Sequence, residues 1–165
     1  MAGGGSWAAM TWVVAVGLLV SLAALGVAVT RPRERPVRAI PWWIAVVLLG
    51  IDTALHAVIG VAAALASWRE GGWLVIAALA IGGMLGAAIL RPRLGGLALM
   101  STAVLMPAVL IAVDAVIRDD AQVLVPLPVM LLAYSTRALV VGLLLLASSI
   151  GASTPAVPVP AGRAR

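Results

Sequence analysis

Five apolar runs, each long enough to cross the ~30 Å hydrocarbon core of a bilayer as a helix, dictate what this chain can fold into. They cover about residues 8–30, 42–67, 73–90, 97–117 and 129–149. The breaks between them read RPRERPVRAIP, WREGG, RPRLGG and RDDAQVLVPLP, each joining charge to Pro or Gly, the residues that stop helices and mark turns. Unpaired backbone groups cannot face lipid, so each run must be a helix or part of a closed barrel. Uninterrupted runs without apolar–polar alternation exclude the barrel. The expected fold is an all-α integral membrane bundle of five transmembrane helices within residues 1–150, followed by a disordered, Pro-rich tail over 151–165.

Composition points the same way. The chain is 64% hydrophobic with a mean hydropathy of +1.18, against roughly 45–50% apolar residues in soluble domains. The absence of Cys excludes disulfides, thiolate metal sites and cysteine redox chemistry within the chain. The net charge of +5 rests on Arg alone, and Lys, Asn and Phe, whose codons are AT-rich, are absent. That bias points to a high-GC bacterium and, for a multi-pass protein, to its plasma (inner) membrane. The arginines flank apolar runs instead of clustering on an amphipathic element, so nucleic acid is not an expected partner.

Arginine placement also sets an expected orientation. Arg31, Arg33, Arg35 and Arg38 lie in the first loop, Arg91 and Arg93 in the third, Arg163 and Arg165 in the tail. The second and fourth loops hold only Arg69 and Arg118, each beside acidic residues. The positive-inside bias then puts the first and third loops and the C-terminus in the cytoplasm, and the N-terminus outside. The N-terminal run lacks a basic leader and exceeds a signal-peptide core, so it reads as a permanent helix. Trp7, Trp12, Trp42, Trp43, Trp68 and Trp73 fall near helix ends, as headgroup-zone rings do. The first loop, four Arg less Glu34, carries +3. At about 1 kcal/mol per basic residue near anionic lipid, Arg31, Arg33, Arg35 and Arg38 are expected to contact headgroups.

Within the helices, Gly82 with Gly86, Gly60 with Ala64, and Gly17 with Ser21 are small-residue pairs at the spacing that lets membrane helices approach closely. Pro107 interrupts the fourth run, where it removes the bond to the Ala103 carbonyl and favours a kink. R-P-R occurs at Arg31–Arg33 and again at Arg91–Arg93, each followed by a helix with an aspartate. Either two hairpins are duplicated or R-P-R is ordinary punctuation at helix ends.

Ionisable residues inside spans are expensive and so draw attention. GIDTALHAVIG places Asp52 and His56, the only histidine, four residues apart on one helix face, with Thr53 alongside. Arg137 lies inside the fifth run and Asp114 near the outer end of the fourth. An unpaired Arg at that depth costs at least about 2.5 kcal/mol. Arg137 is therefore expected either to snorkel outward or to face Asp52 or His56 inside the bundle, with Asp114 as the competing partner. This Asp52, His56, Arg137, Asp114 cluster admits two readings. It can fix helix packing in a non-catalytic subunit whose partners are the bilayer and other membrane subunits or further copies of the chain, or it can serve a small proton- or cation-coupled transporter or channel. One His and no Cys leave no multi-ligand zinc, haem or iron–sulfur site, and G-x-S-x-G and H-E-x-x-H are missing. No catalytic residue, metal or cofactor is expected.

Reporter fusions after residues 35, 94 and 160 are expected to read cytoplasmic, and fusions near residues 70 and 121 external. An external signal from the tail would overturn the five-span topology.

Overall fold

A computed structural model of the chain describes the backbone of residues 4–117 and 126–150. Side chains are described within those ranges except at 4–11, 69–70, 110, 113–117 and 126–131. Among the described residues there are five α-helices and no strand: α1 Gly4–Thr30, α2 Ala39–Ala66, α3 Trp68–Leu90, α4 Pro92–Ile117 and α5 Pro126–Ser149. Each is long and apolar enough to span a membrane. The outward faces demand lipid as well, since Leu65 is 84% and Ile40 75% exposed. The expected tail over 151–165 lies outside the described residues.

The helices run further into the breaks than the sequence suggested. WREGG and RPRLGG are almost wholly helical, and a single non-helical residue reverses the chain at each, Ser67 and Arg91. The Ser67 N–H closes α2 on the Ala63 carbonyl, and its own carbonyl accepts from Gly71; Arg91 does the same between Ala87 and Gly95. Pro92 fits the first position of α4, where its missing N–H is not needed. The glycines act inside the helices as points of close approach. A Cβ on Gly71 would strike the backbone of Ala63 and Ala64, and one on Gly95 would lie 2.7 Å from the Ala88 Cα.

Neighbouring helices form a ring in the order α1, α3, α2, α5, α4 and back to α1, with α3 also touching α4. Small residues make the contacts, but not along single seams. In α3, Gly82 faces the Thr53 methyl on α2, whereas Gly86 faces Leu25 on α1. In α1, Gly17 faces Met106 on α4, while the Ser21 hydroxyl donates to the Ala80 carbonyl of α3 at 2.7 Å and lies against Gly83. Gly60 packs directly on the backbone of Leu74 and Val75, and Gly96 crosses Gly142 between α4 and α5. The core is correspondingly alanine-rich: Ala24, Ala28, Ala45, Ala87, Ala88 and Ala98 pack with Leu49, Leu99 and Leu145. α4 passes through Pro107 as one helix.

One end of the bundle is closed by residues 31–38, which run beneath it as a strap. Glu34 N–H donates to the Leu90 carbonyl at 2.9 Å, and the N–H groups of Val37 and Arg38 both reach the Ser148 carbonyl, at 2.8 and 3.0 Å. These bonds satisfy terminal carbonyls of α3 and α5 that have no partner within their own helices. Glu34 also pairs with Arg91, and the Trp42 indole donates to the Ala88 carbonyl at 3.1 Å. Arg31, Arg33, Arg35 and Arg38 are all exposed. The two R-P-R segments differ in structure, the first lying in the strap and the second opening α4 on a buried Pro92.

Gly71→Ala is expected to cost about 1–3 kcal/mol, because the atoms its Cβ meets are backbone and cannot yield. Gly50→Ala, which meets open space, should be neutral or stabilise by up to about 1 kcal/mol. Thermal unfolding in mild detergent separates the two; equal losses would refute the close-approach account.

Candidate functional site

Asp52 lies on α2 one turn beyond the core residue Leu49, and its side chain is buried. His56, one turn further, turns back so that Nδ1 sits 2.9 Å from the Asp52 carbonyl and 3.1 Å from Asp52 Oδ1. A carbonyl oxygen can only accept, so Nδ1 carries the hydrogen, and in the neutral ring Nε2 accepts from the Tyr134 hydroxyl on α5. One turn along α5, Arg137 Nη1 lies 2.8 Å from Asp52 Oδ1. Four side chains from two helices thus form one connected group, and α2 and α5 meet around it.

The sequence marked Asp52, His56 and Arg137, and the structure brings these three together. The side chain of Asp114 lies outside the described residues. Thr53 stands apart, because its hydroxyl donates to the Leu49 carbonyl of its own helix at 2.8 Å. Tyr134 was not marked. The available signal was that the chain's one tyrosine sits three residues before Arg137, on the same helix face.

The bonding around the carboxylate is incomplete. Oδ1 lies within ion-pair distance of both His56 and Arg137, yet neither makes a well-directed hydrogen bond to it. Asp52, Thr102, Tyr134 and Arg137 also border a cavity of about 70 Å³ in the bundle interior. The rest of its lining is apolar apart from Gly17 and includes Leu49, Met84 and Met106. A water needs roughly 10–15 Å³ and two to four polar partners, so this space admits a few waters and excludes a ligand of drug size. Arg137 also lines an open groove of about 520 Å³ on the outer surface between α2 and α5, and 41% of its side chain is exposed.

Among the described residues no three His, Cys, Asp or Glu side chains converge as metal ligands would. Among the described residues Ser135 Oγ and Trp73 Nε1 are buried and have no hydrogen-bond partner. Trp12, Trp43 and Trp68 are exposed. No protein-family model matches the chain, and no curated protein and no solved structure match it.

Breaking the ion pair from one side leaves a buried charge, whereas removing both partners does not. Arg137→Leu is therefore expected to destabilise more than the double variant Asp52→Leu/Arg137→Leu, with a coupling of about 1 kcal/mol or more in a double-mutant cycle. Additive losses in detergent unfolding would mean that the contact contributes nothing.

Proposed function

We propose that this chain is a small, non-catalytic, partner-binding subunit of the plasma (inner) membrane of a high-GC bacterium. Its five spans run from an external N-terminus to a cytoplasmic C-terminus. The observation that carries the reading is how the described ionisable groups of the interior are placed: Asp52, His56, Tyr134 and Arg137 contact one another across α2 and α5. The cavity beside them has room for a few waters rather than an organic substrate. Interhelical polar contacts in membranes contribute about 0.6 kcal/mol on average, enough to select one packing arrangement among several similar ones. The exposed Arg31, Arg33, Arg35, Arg38 and Arg93 at the strap end support the cytoplasmic assignment of that end and its contact with anionic headgroups.

A second reading, a small proton- or cation-coupled transporter, draws on one observation. Among the described residues Asp52 Oδ1 has no well-directed hydrogen bond, and Asp52 borders the cavity. Purified protein in sealed vesicles decides between the two. The subunit reading expects proton and sodium leak at the level of empty vesicles. A flux carried by the wild type and lost in folded Asp52→Asn would replace it with the transporter.

A further inference from the structure

We infer that the groove between α2 and α5 seats a transmembrane helix of a different membrane subunit, held by a carboxylate that meets Arg137 at mid-depth. The inference rests on the partner-binding reading and names the partner's chemistry.

Arg137 stands halfway along α5, eleven residues from Pro126 and twelve from Ser149, which is about 17 and 18 Å from the two ends at 1.5 Å per residue. Its three-methylene stem is too short to carry the guanidinium to either headgroup zone. The fork has five N–H donors. Among the described residues its contact is Nη1 on Asp52 Oδ1, while 41% of the side chain remains exposed. Arg137 borders a groove that is otherwise almost wholly apolar. In lipid, donors without acceptors are costly, so the groove favours an occupant that brings an acceptor to this depth.

The shape of the groove fits a helix. Ala133, Thr136, Arg137 and Val140 follow i, i+3, i+4, i+7 spacing along α5, and Ala133, Thr136 and Val140 face outward. Ala133 and Thr136 are small enough for close backbone approach. The Thr136 hydroxyl is already spent on the Leu132 carbonyl at 2.8 Å, so Arg137 supplies the polar specificity. A lipid phosphate stays at the headgroup level and cannot meet Arg137 there. A second copy suits it less, since among the described side chains Glu34 and Asp52 are already engaged by Arg91 and by Arg137 with His56, and Asp114 lies three residues from the end of α4, far from the mid-depth of Arg137. The occupant is therefore a helix of another chain bearing Asp or Glu near its centre.

The test uses the full chain in phosphatidylcholine–phosphatidylglycerol vesicles with synthetic Leu/Ala transmembrane peptides of about 22 residues carrying a central Asp, Asn or Leu. Energy transfer between labels on peptide and protein reads association. The Asp peptide should associate roughly three- to tenfold more than the Leu peptide. Thr136→Trp, which fills the groove while leaving Arg137 and Asp52 in place, should abolish that preference in protein whose thermal unfolding is unchanged. Equal association of the Asp and Leu peptides, or a preference retained by folded Arg137→Gln, overturns the inference. Self-association of labelled protein that excludes the peptide and is lost in Thr136→Trp overturns the named occupant in favour of a second copy. Cation flux in the same vesicles would remove the subunit reading itself, whereas absent flux with no Asp preference removes only this docking surface.

Discussion

The strap bonds to the ends of α3 and α5 hold the register on which the rest of the bundle depends. Arg38 N–H and Ser148 carbonyl meet at 3.0 Å, and from that contact Asp52 is fourteen residues along α2 and Tyr134 fourteen residues back along α5. Equal counts at 1.5 Å per residue bring both to about 21 Å from the strap. Arg137, three residues nearer the strap, extends its side chain to reach the carboxylate. A slip of one helical turn between α2 and α5 would separate the two charges by about 5 Å and leave each in an apolar surround. The polar group therefore depends on two backbone hydrogen bonds far from it, those of Val37 and Arg38 to Ser148.

Small residues make this arrangement possible. With an alanine-rich core, and Leu145, Pro92, Ser21 and Ser148 the largest side chains fully buried, the backbones lie close and few large side chains interlock. Attraction between the helices comes from many short contacts, because lipid supplies no hydrophobic force between them. Directed bonds therefore matter out of proportion to their number: Ser21 to Ala80 ties α1 to α3, Trp42 to Ala88 ties α2 to α3, and Glu34 to Arg91 ties the strap to the α3–α4 turn.

Span number and approximate limits were legible in the sequence because they follow from apolar length, a property that tertiary context does not override. The turns were less legible. R-E-G-G and R-L-G-G read as breaks because Gly commonly interrupts helices, but in lipid Gly also serves helix contact, and local pattern does not separate the two uses. Helical spacing placed Asp52 beside His56. It could not fix the depth of Arg137 relative to Asp52, which depends on a strap bond between residues 110 positions apart. Tyr134 went unmarked because a neutral phenol carries no charge to flag it, and only the packing of α5 on α2 brings it to His56.

The strap also has a consequence for biogenesis. Translation proceeds from the N-terminus, so the first four helices emerge before the segment that carries Tyr134, Arg137 and Ser148. Until α5 arrives, Asp52 has no arginine beside it and the Val37 and Arg38 N–H groups have no Ser148 carbonyl to meet. α5 supplies the counter-charge, the histidine's phenolic partner and the strap's anchor together. A nascent chain halted before α5 would present an uncompensated carboxylate in the membrane, the kind of defect by which membrane quality control distinguishes unfinished proteins from finished ones.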